Sequence, residues 1–375
     1  MLCGASAAAA SSHPSARGRR GSARQRLVIV NDDFGAYQLA SENWFKYPSS
    51  VHALTQNPIA YGAPHALEGG VPGIFSEFDG GLELIYTLRD PHVKVLGVTT
   101  QYGLGSAPDA FTTARQVVHA VQAQDPGVPR HIPILRGARD ANDLGRQSPA
   151  SRFIEREVTA HCGQVEILDT APLTNTATAL MHQPRLARCW KKLWFATGEF
   201  NGALPGVQPS DFVSALHMAD FNINADATAT RYVLAHGGSF PILPNELMDD
   251  TWITKADFQR IAASHSQLAR FVASQNLPFY EHYFVNNPDP AKGPPPDEPG
   301  IMFHGAIAAA FAIDPAFRSR AKQFDSAVVM RWAGADRQWL FALSRNSHLP
   351  KHLVYAQLSR TQARRMHNAI LRRLR

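Results

Sequence analysis

Three polar clusters hold the residue types that do chemistry in this chain. Asn31-Asp32-Asp33-Phe34-Gly35 sets two adjacent carboxylates after an apolar run, Thr170 to Asn175 groups hydroxyls with an amide, and Ala219-Asp220-Phe221-Asn222 adds another acid and amide. Neighbouring carboxylates at the end of a buried strand are costly to leave unpaired, so a cation or several hydrogen-bond donors should face them. For Asp32 and Asp33 alone, a turn or helix cap is an equally good account. The chain contains no Gly-x-Gly-x-x-Gly, Walker loop, Gly-x-Ser-x-Gly elbow or His-Glu-x-x-His helix, which removes the commonest dinucleotide, phosphate, serine-hydrolase and zinc-protease readings.

The elements that must position these clusters are legible from hydrophobic patterning. Leu27 to Val30 is a short apolar run of the kind that forms a buried parallel strand, and Val93 to Thr100, Ile132 to Leu135 and Val165 to Leu168 read the same way. Helical patterns lie between them, at Leu82, Leu84, Ile85 and Leu88 and at Ala110 to Ala123. This alternation predicts an α/β fold, a mostly parallel central sheet with helices on both faces. Ligands bind such sheets where strand C-termini meet loops, and that is where the polar clusters fall.

Composition narrows the class. The 375 residues are 45% hydrophobic and 18% charged, enough for a large buried core. The longest tempting apolar stretch, Ala306 to Ile313, is too short for a membrane span. Eleven arginines crowd residues 1–26 and 359–375, where there are no acids, and they exceed the net charge of +6, so the intervening body is mildly acidic. A nucleic-acid partner is not expected of such a body. Cys3, Cys162 and Cys189 are odd in number and widely spaced, which argues against a disulfide framework or zinc ribbon and for a reducing compartment.

The ordered motifs resemble the inosine-uridine-preferring nucleoside hydrolases, calcium-dependent N-ribohydrolases. Val28 to Gly35 is similar to the first half of that family's opening D-x-D-P-G-x-D-D-A, and Asp79-Gly80-Gly81-Leu82-Glu83-Leu84 with Leu96-Gly97-Val98-Thr99-Thr100 to its second half and following strand. Ala171-Pro172-Leu173-Thr174-Asn175 resembles G-P-L-T-N, Ala219 to Asn222 resembles A-E-F-N, and Phe303-His304-Gly305 resembles its His-Asp pair, so the likeness runs across roughly residues 27–315. The first segment also resembles carbohydrate deacetylases that open N-A-D-D-F-G, but the alanine is missing and the later motifs are left unexplained.

The resemblance implies cleavage of a ribonucleoside to base and ribose. Residue by residue it makes Asp33 a calcium (Ca2+) ligand and general base, Thr174 a backbone-carbonyl ligand, Asp79, Asp220 and Asn222 substrate-binding groups, and His304 a catalytic group near the leaving base. Taken singly, Asp79 reads as a helix cap, Asn222 as a turn residue and His304 as a packed or surface histidine. The departures cut the other way. Gly80 and Gly305 stand where two calcium-binding aspartates are expected, Asn31, Phe34 and Asp220 replace an aspartate, a proline and a glutamate, and Leu104 replaces a sugar-binding asparagine. Weak or absent calcium binding is therefore expected, with the remaining oxygens drawn from Asp33, Thr174 and Asn31, Asp32 or Asp79, and with recovery when aspartates are restored at both glycines. The alternative to an active hydrolase is a catalytically impaired homologue that binds a nucleoside or ribosylated ligand, or serves as an interaction scaffold.

The expected organisation is a disordered or targeting tail at 1–26, one domain at 27–358 carrying an insertion at 36–77, and a basic helix or tail at 359–375. The insertion interrupts the first motif and reads as a lid, an accretion or a gene-model error. The cytoplasm is the default location and an organelle the alternative if the Arg/Ser/Ala-rich tail is a targeting segment. A homo-oligomer is compatible with the sequence.

Overall fold

The computed structural model describes residues 25–35, 78–104, 106–209, 220–286, 300–301, 303–333 and 338–375. The insertion at 36–77 and nearly all of the N-terminal tail lie outside these. The strands are β1 (Arg26–Asp32), β2 (Val93–Thr100), β3 (Ile134–Arg136), β4 (Val165–Asp169), β5 (Lys192–Phe195), β6 (Pro241–Ile242), β7 (Ile253–Thr254), β8 (Gly300–Ile301), β9 (Lys322–Ala333), β10 (Gln338–Ser344) and β11 (Lys351–Gln357). Nine of them form one sheet in the order β10-β9-β11-β6-β5-β4-β1-β2-β3, and β7 and β8 pair separately. From β3 to β11 every pair is parallel, and only the edge pairs β11–β9 and β9–β10 are antiparallel. Eight strands run one way and β9 alone runs against them, which makes the mostly parallel sheet expected.

Side chains along β1 alternate between two cores. Val28 and Val30 pack on one face with Leu168 and Trp194, while Ile29 packs on the other with Ile167 and Phe195. The first face is covered by α1 (Asp79–Leu88), α2 (Ala107–Gln124), α6 (His304–Ile313) and α7 (Arg360–Arg373); the second by α3 (Pro149–Ala160) and α4 (Thr174–His182), with α5 (Phe221–Ala225) contributing Ile223 to that core. The stretch too short for a membrane is the apolar α6, whose Ala306 to Ala312 are all buried, as a helix without a polar face requires. No helix among the described residues is long and apolar enough to cross a membrane.

Some boundaries move for identifiable reasons. Arg26 belongs to β1 rather than to the tail, held by hydrogen bonds to Glu166 and to the Ile313 carbonyl. Pro133 has no N–H to donate, so β3 starts at Ile134, although the Pro133 carbonyl accepts from Val98 N at 2.8 Å. The basic C-terminal helix docks on the first core through Met366, Ile370 and Leu374, and Arg373 binds Asp90. The cysteine expectation is overturned for one pair: Cys162 and Cys189 form a disulfide with their Cα atoms 4.3 Å apart. Wide sequence spacing was a poor guide, because the ends of α3 and of the short Leu186–Cys189 helix are brought together by packing of α3 against that helix.

Candidate active site

β1 ends by sending successive side chains in different directions. Asn31 continues the Ile29 side and becomes the hub of a buried amide and carboxylate network. Its Nδ2 donates to Asp169 Oδ1 at 2.8 Å, and its Oδ1 accepts from Thr99 Oγ1 at 2.8 Å and Asn175 Nδ2 at 3.0 Å. Thr176 Oγ1 donates to the other Asp169 oxygen at 2.5 Å. This explains the amide at position 31, since an aspartate there would set a carboxylate against Asp169.

Asp32 continues the Val28 and Val30 side and points at α1. A Cβ at Gly80 would lie 2.0 Å from Asp32 Oδ2, so the glycine is what lets the carboxylate approach the helix. Asp33 turns toward the loop after β2, where its Oδ2 accepts from Leu104 N at 2.8 Å. Gly103 is required by the same packing, because a Cβ there would sit 1.7 Å from that oxygen. Leu104, a departure from the family's asparagine, thus contributes its backbone.

Asp79 opens α1 and accepts from Gly80 N at 2.6 Å, with the Gly305 N–H also facing its carboxylate. One turn later Glu83 lies on the same helix face as Asp79 and points into this acidic cluster. Its Oε2 accepts from Thr170 Oγ1 at 2.6 Å and lies 3.0 Å from where a Gly305 Cβ would be. Asp32 and Glu83 face each other carboxyl to carboxyl. Burial raises Asp32, Asp33 and Glu83 well above the usual carboxylate range and Asp79 to about 6, and neighbouring acids add to the first three.

Asn222 reaches the cluster through Thr170, donating Nδ2 to its carbonyl at 2.8 Å and leaving Oδ1 buried without a partner. His304 opens α6 beside Gly305, its Nε2 also buried and unpartnered, and burial lowers its pKa while Asp220 opposes the shift. Asp220 caps α5 and accepts from Thr197 Oγ1 at 2.5 Å. Thr174 opens α4, its hydroxyl donating to Asp226 Oδ2 at 2.7 Å and lying 3.1 Å from Tyr102 Oη. The Asn31–Asn175 bond fastens that helix to the end of β1, so all six residues singled out from sequence lie at the same ends of the parallel strands.

Glu83 is the main residue that sequence reasoning passed over. Its signal in the sequence was an acid set between Leu82 and Leu84 in an apolar helical pattern. Glu199 was missed as well. It is buried with neither oxygen paired, near Glu246 and Asp220.

The buried carboxylates of Asp32, Asp33, Asp79 and Glu83 offer only oxygen, the chemistry a hard cation such as calcium prefers. Asp32 Oδ2 and Glu83 Oε1 are buried without a hydrogen-bond partner. Among the described residues, no three His, Cys, Asp or Glu side chains are already arranged as a metal's ligands, so these oxygens are gathered without being closed around an ion. The donor chemistry fits the cation. Each of the two glycines faces a carboxylate of another residue, Gly80 that of Asp32 and Gly305 that of Glu83.

A mostly parallel α/β sheet with buried acids at its strand ends sets a polar centre where strands give way to loops. The chain belongs to the inosine-uridine preferring nucleoside hydrolase family, whose model matches residues 76–353. It is 24% identical over 236 residues to a uridine nucleosidase of Arabidopsis thaliana, a match covering 58% of this chain and 66% of the relative, just under two thirds. Among solved structures it resembles a plant nucleoside hydrolase (TM-score 0.63, 18% identity, 93% of this chain and 98% of the other). It also resembles a purine-preferring ribonucleoside hydrolase from Gardnerella vaginalis (TM-score 0.61, 16% identity, 93% and 98%). At these identities the structural likeness speaks for the fold.

Proposed function

We propose that this chain hydrolyses the N-glycosidic bond of ribonucleosides, releasing base and ribose. The observation that carries the reading is the gathering of four buried carboxylates with the unpartnered atoms of His304 and Asn222 at the strand C-termini, in a chain of this family. Loss of the base builds positive charge on the ribose, which ionised carboxylates stabilise. Asp33, positioned by Leu104 N, accepts a proton from the attacking water. Asp79, Asp220 and Asn222 hold the sugar hydroxyls, and His304, neutral because buried, borders the leaving base. Bound calcium, held by Asp33, the Thr174 carbonyl and neighbouring acids, would lower the pKa of the water and orient the ribose diol.

The test is release of free ribose from a panel of uridine, inosine and other nucleosides, with and without calcium. Asp33→Asn should lower the rate at least a hundredfold, on the order of the contribution of a positioned general base. No release from any nucleoside by the folded protein overturns hydrolysis. A second reading, a nucleoside-binding homologue without turnover, is favoured by the absent aspartates at Gly80 and Gly305; it requires nucleoside binding by calorimetry without product.

A further inference from the structure

We propose that Glu199 is a further substrate-binding residue of this chain, a buried carboxyl that takes the hydroxymethyl (5′) hydroxyl of the ribose and so selects nucleosides carrying a hydrogen-bond donor there. The inference rests on the reading that the centre at the strand ends takes a ribonucleoside.

The segment after β5 holds Glu199 firmly in place. Gly198 adopts a φ of +92° and lies so close to Phe341 that a Cβ would come within 1.9 Å of its ring, so only glycine makes this turn. The Gly198 carbonyl accepts from Asn245 N at 2.8 Å and the Glu199 carbonyl from Phe341 N at 2.7 Å. Glu246, on the short Asn245–Met248 helix, accepts from Phe200 N at 2.8 Å and Asn201 N at 2.9 Å. The backbone is thus fastened on both sides of Glu199, yet the residue is 1% exposed and neither of its carboxyl oxygens has a hydrogen-bond partner. Arg331, which favours its ionised form, donates instead to the Phe200 carbonyl at 3.4 Å.

A buried carboxyl normally finds donors, and one left bare on a rigid segment calls for a ligand group that completes it. Burial, with Glu246, Asp220 and Asp249 adding to it, holds Glu199 well above the usual carboxylate range. A neutral carboxyl suits a hydroxyl, its carbonyl oxygen accepting from the O–H while its own O–H donates in return. Position says which hydroxyl. Two residues before Glu199, Thr197 Oγ1 donates to Asp220 Oδ1 at 2.5 Å, and that oxygen also accepts from Ile223 N at 3.1 Å, so the carboxyl at this corner with no bond at all is Glu199. In the sheet β4 separates β5 from β1, which sets their ends about 10 Å apart. Asp33 and Asp79 gather at the β1 end and the start of α1. A ribose held there by its two ring hydroxyls has one hydroxyl left, on the carbon outside the ring, and Glu199 is the bare acceptor on the β5 side.

The test compares uridine with 5′-deoxyuridine, which lacks the donor, and 5′-amino-5′-deoxyuridine, which keeps one, on the full-length protein and on Glu199→Met and Glu199→Gln. Sugar release gives kcat/KM, calorimetry gives affinity and thermal unfolding gives Tm. The unmodified chain should favour uridine and the amino analogue over 5′-deoxyuridine by at least about tenfold. Glu199→Met should erase that preference by lowering kcat/KM for the two donor-bearing nucleosides alone, and Glu199→Gln, which keeps an acceptor, should return part of it. The Tm of Glu199→Met should rise, since a bare buried carboxyl costs stability that an apolar side chain of similar size does not. The same rise in Tm with the preference intact marks a merely structural residue and overturns the proposal. If Glu199→Met fails to fold, the three nucleosides on the unmodified chain decide: equal handling overturns the proposal, and discrimination against 5′-deoxyuridine alone supports it. Uridine binding that prefers the 5′ donor through Glu199 without sugar release removes the hydrolase reading and keeps the inference. Sugar release with the preference unchanged in Glu199→Met does the reverse.

Discussion

At the scale of single residues, glycines decide where the acids go. Gly103→Ala would push a methyl group into Asp33, 1.7 Å from its Oδ2 and 2.4 Å from its Cβ and Cγ. Ribose release should fall at least tenfold while the Tm moves by only a few degrees, and a rate equal to that of the unmodified chain would show that Asp33 is not held by this approach. Gly80→Asp is expected to fail as a restoration. Its Cβ collides with Asp32, so the variant should lose about 1–3 kcal/mol in denaturant unfolding, the cost of overpacking a dense interior. Combining it with Asp32→Ser should return most of that loss, a coupling that a double-mutant cycle measures directly.

At the scale of elements, the strand ends and helix starts are tied by buried polar contacts that sequence spacing does not announce. Glu166 on β4 accepts from Arg26, Trp194 and Lys191. Burial alone would raise its pKa, but the Arg26 hydrogen bonds and charge, with Trp194 and Lys191, outweigh it and hold the group at about 2. A carboxylate depressed in the folded state stabilises above its unfolded pKa and loses that contribution as pH falls through the folded one. Glu166→Gln should therefore cost about 3 kcal/mol at pH 7 and progressively less from pH 4.5 down to 2, read from denaturation midpoints across that range. The Cys162–Cys189 bridge closes a loop of sequence separation 27, so reduction should lower stability by about 3–4 kcal/mol if chain entropy dominates. Identical melting with and without a reductant would show that the bridge does not persist in solution.

At the scale of the whole molecule, buried acids set the pH profile. Burial raises Asp250 to about 7 and Glu246 to about 7, each outweighing its backbone hydrogen bonds. The unfolded chain gives up these protons near pH 4, so stability declines as pH climbs from there through 7. His352, lowered to about 4 by burial, works the other way: it costs stability as pH falls from 6.5 toward 4. With raised acids in the majority, the denaturation midpoint should be higher at pH 5.5 than at pH 8, and Asp250→Asn should flatten the upper limb.

The sequence by itself determined the alternating elements, the central parallel strands, the helix at Asp79 and the family, because apolar periodicity and ordered motifs are local properties of the chain. The candidate residues at strand ends were legible for the same reason: a polar cluster closing an apolar run marks the place where a parallel strand opens onto a loop. Only the tertiary structure decided what those residues meet. That Gly80 admits Asp32, that Gly305 admits Glu83, and that Asn31 belongs to Asp169 depend on contacts between β1, α1, α6 and the end of β4. The two cysteines and the antiparallel edge of β9 and β10 are of the same kind, set by packing between distant segments. Glycine carries no side chain to signal a role, so its function in this site is the shape of the space it leaves, and space exists only once the chain has folded.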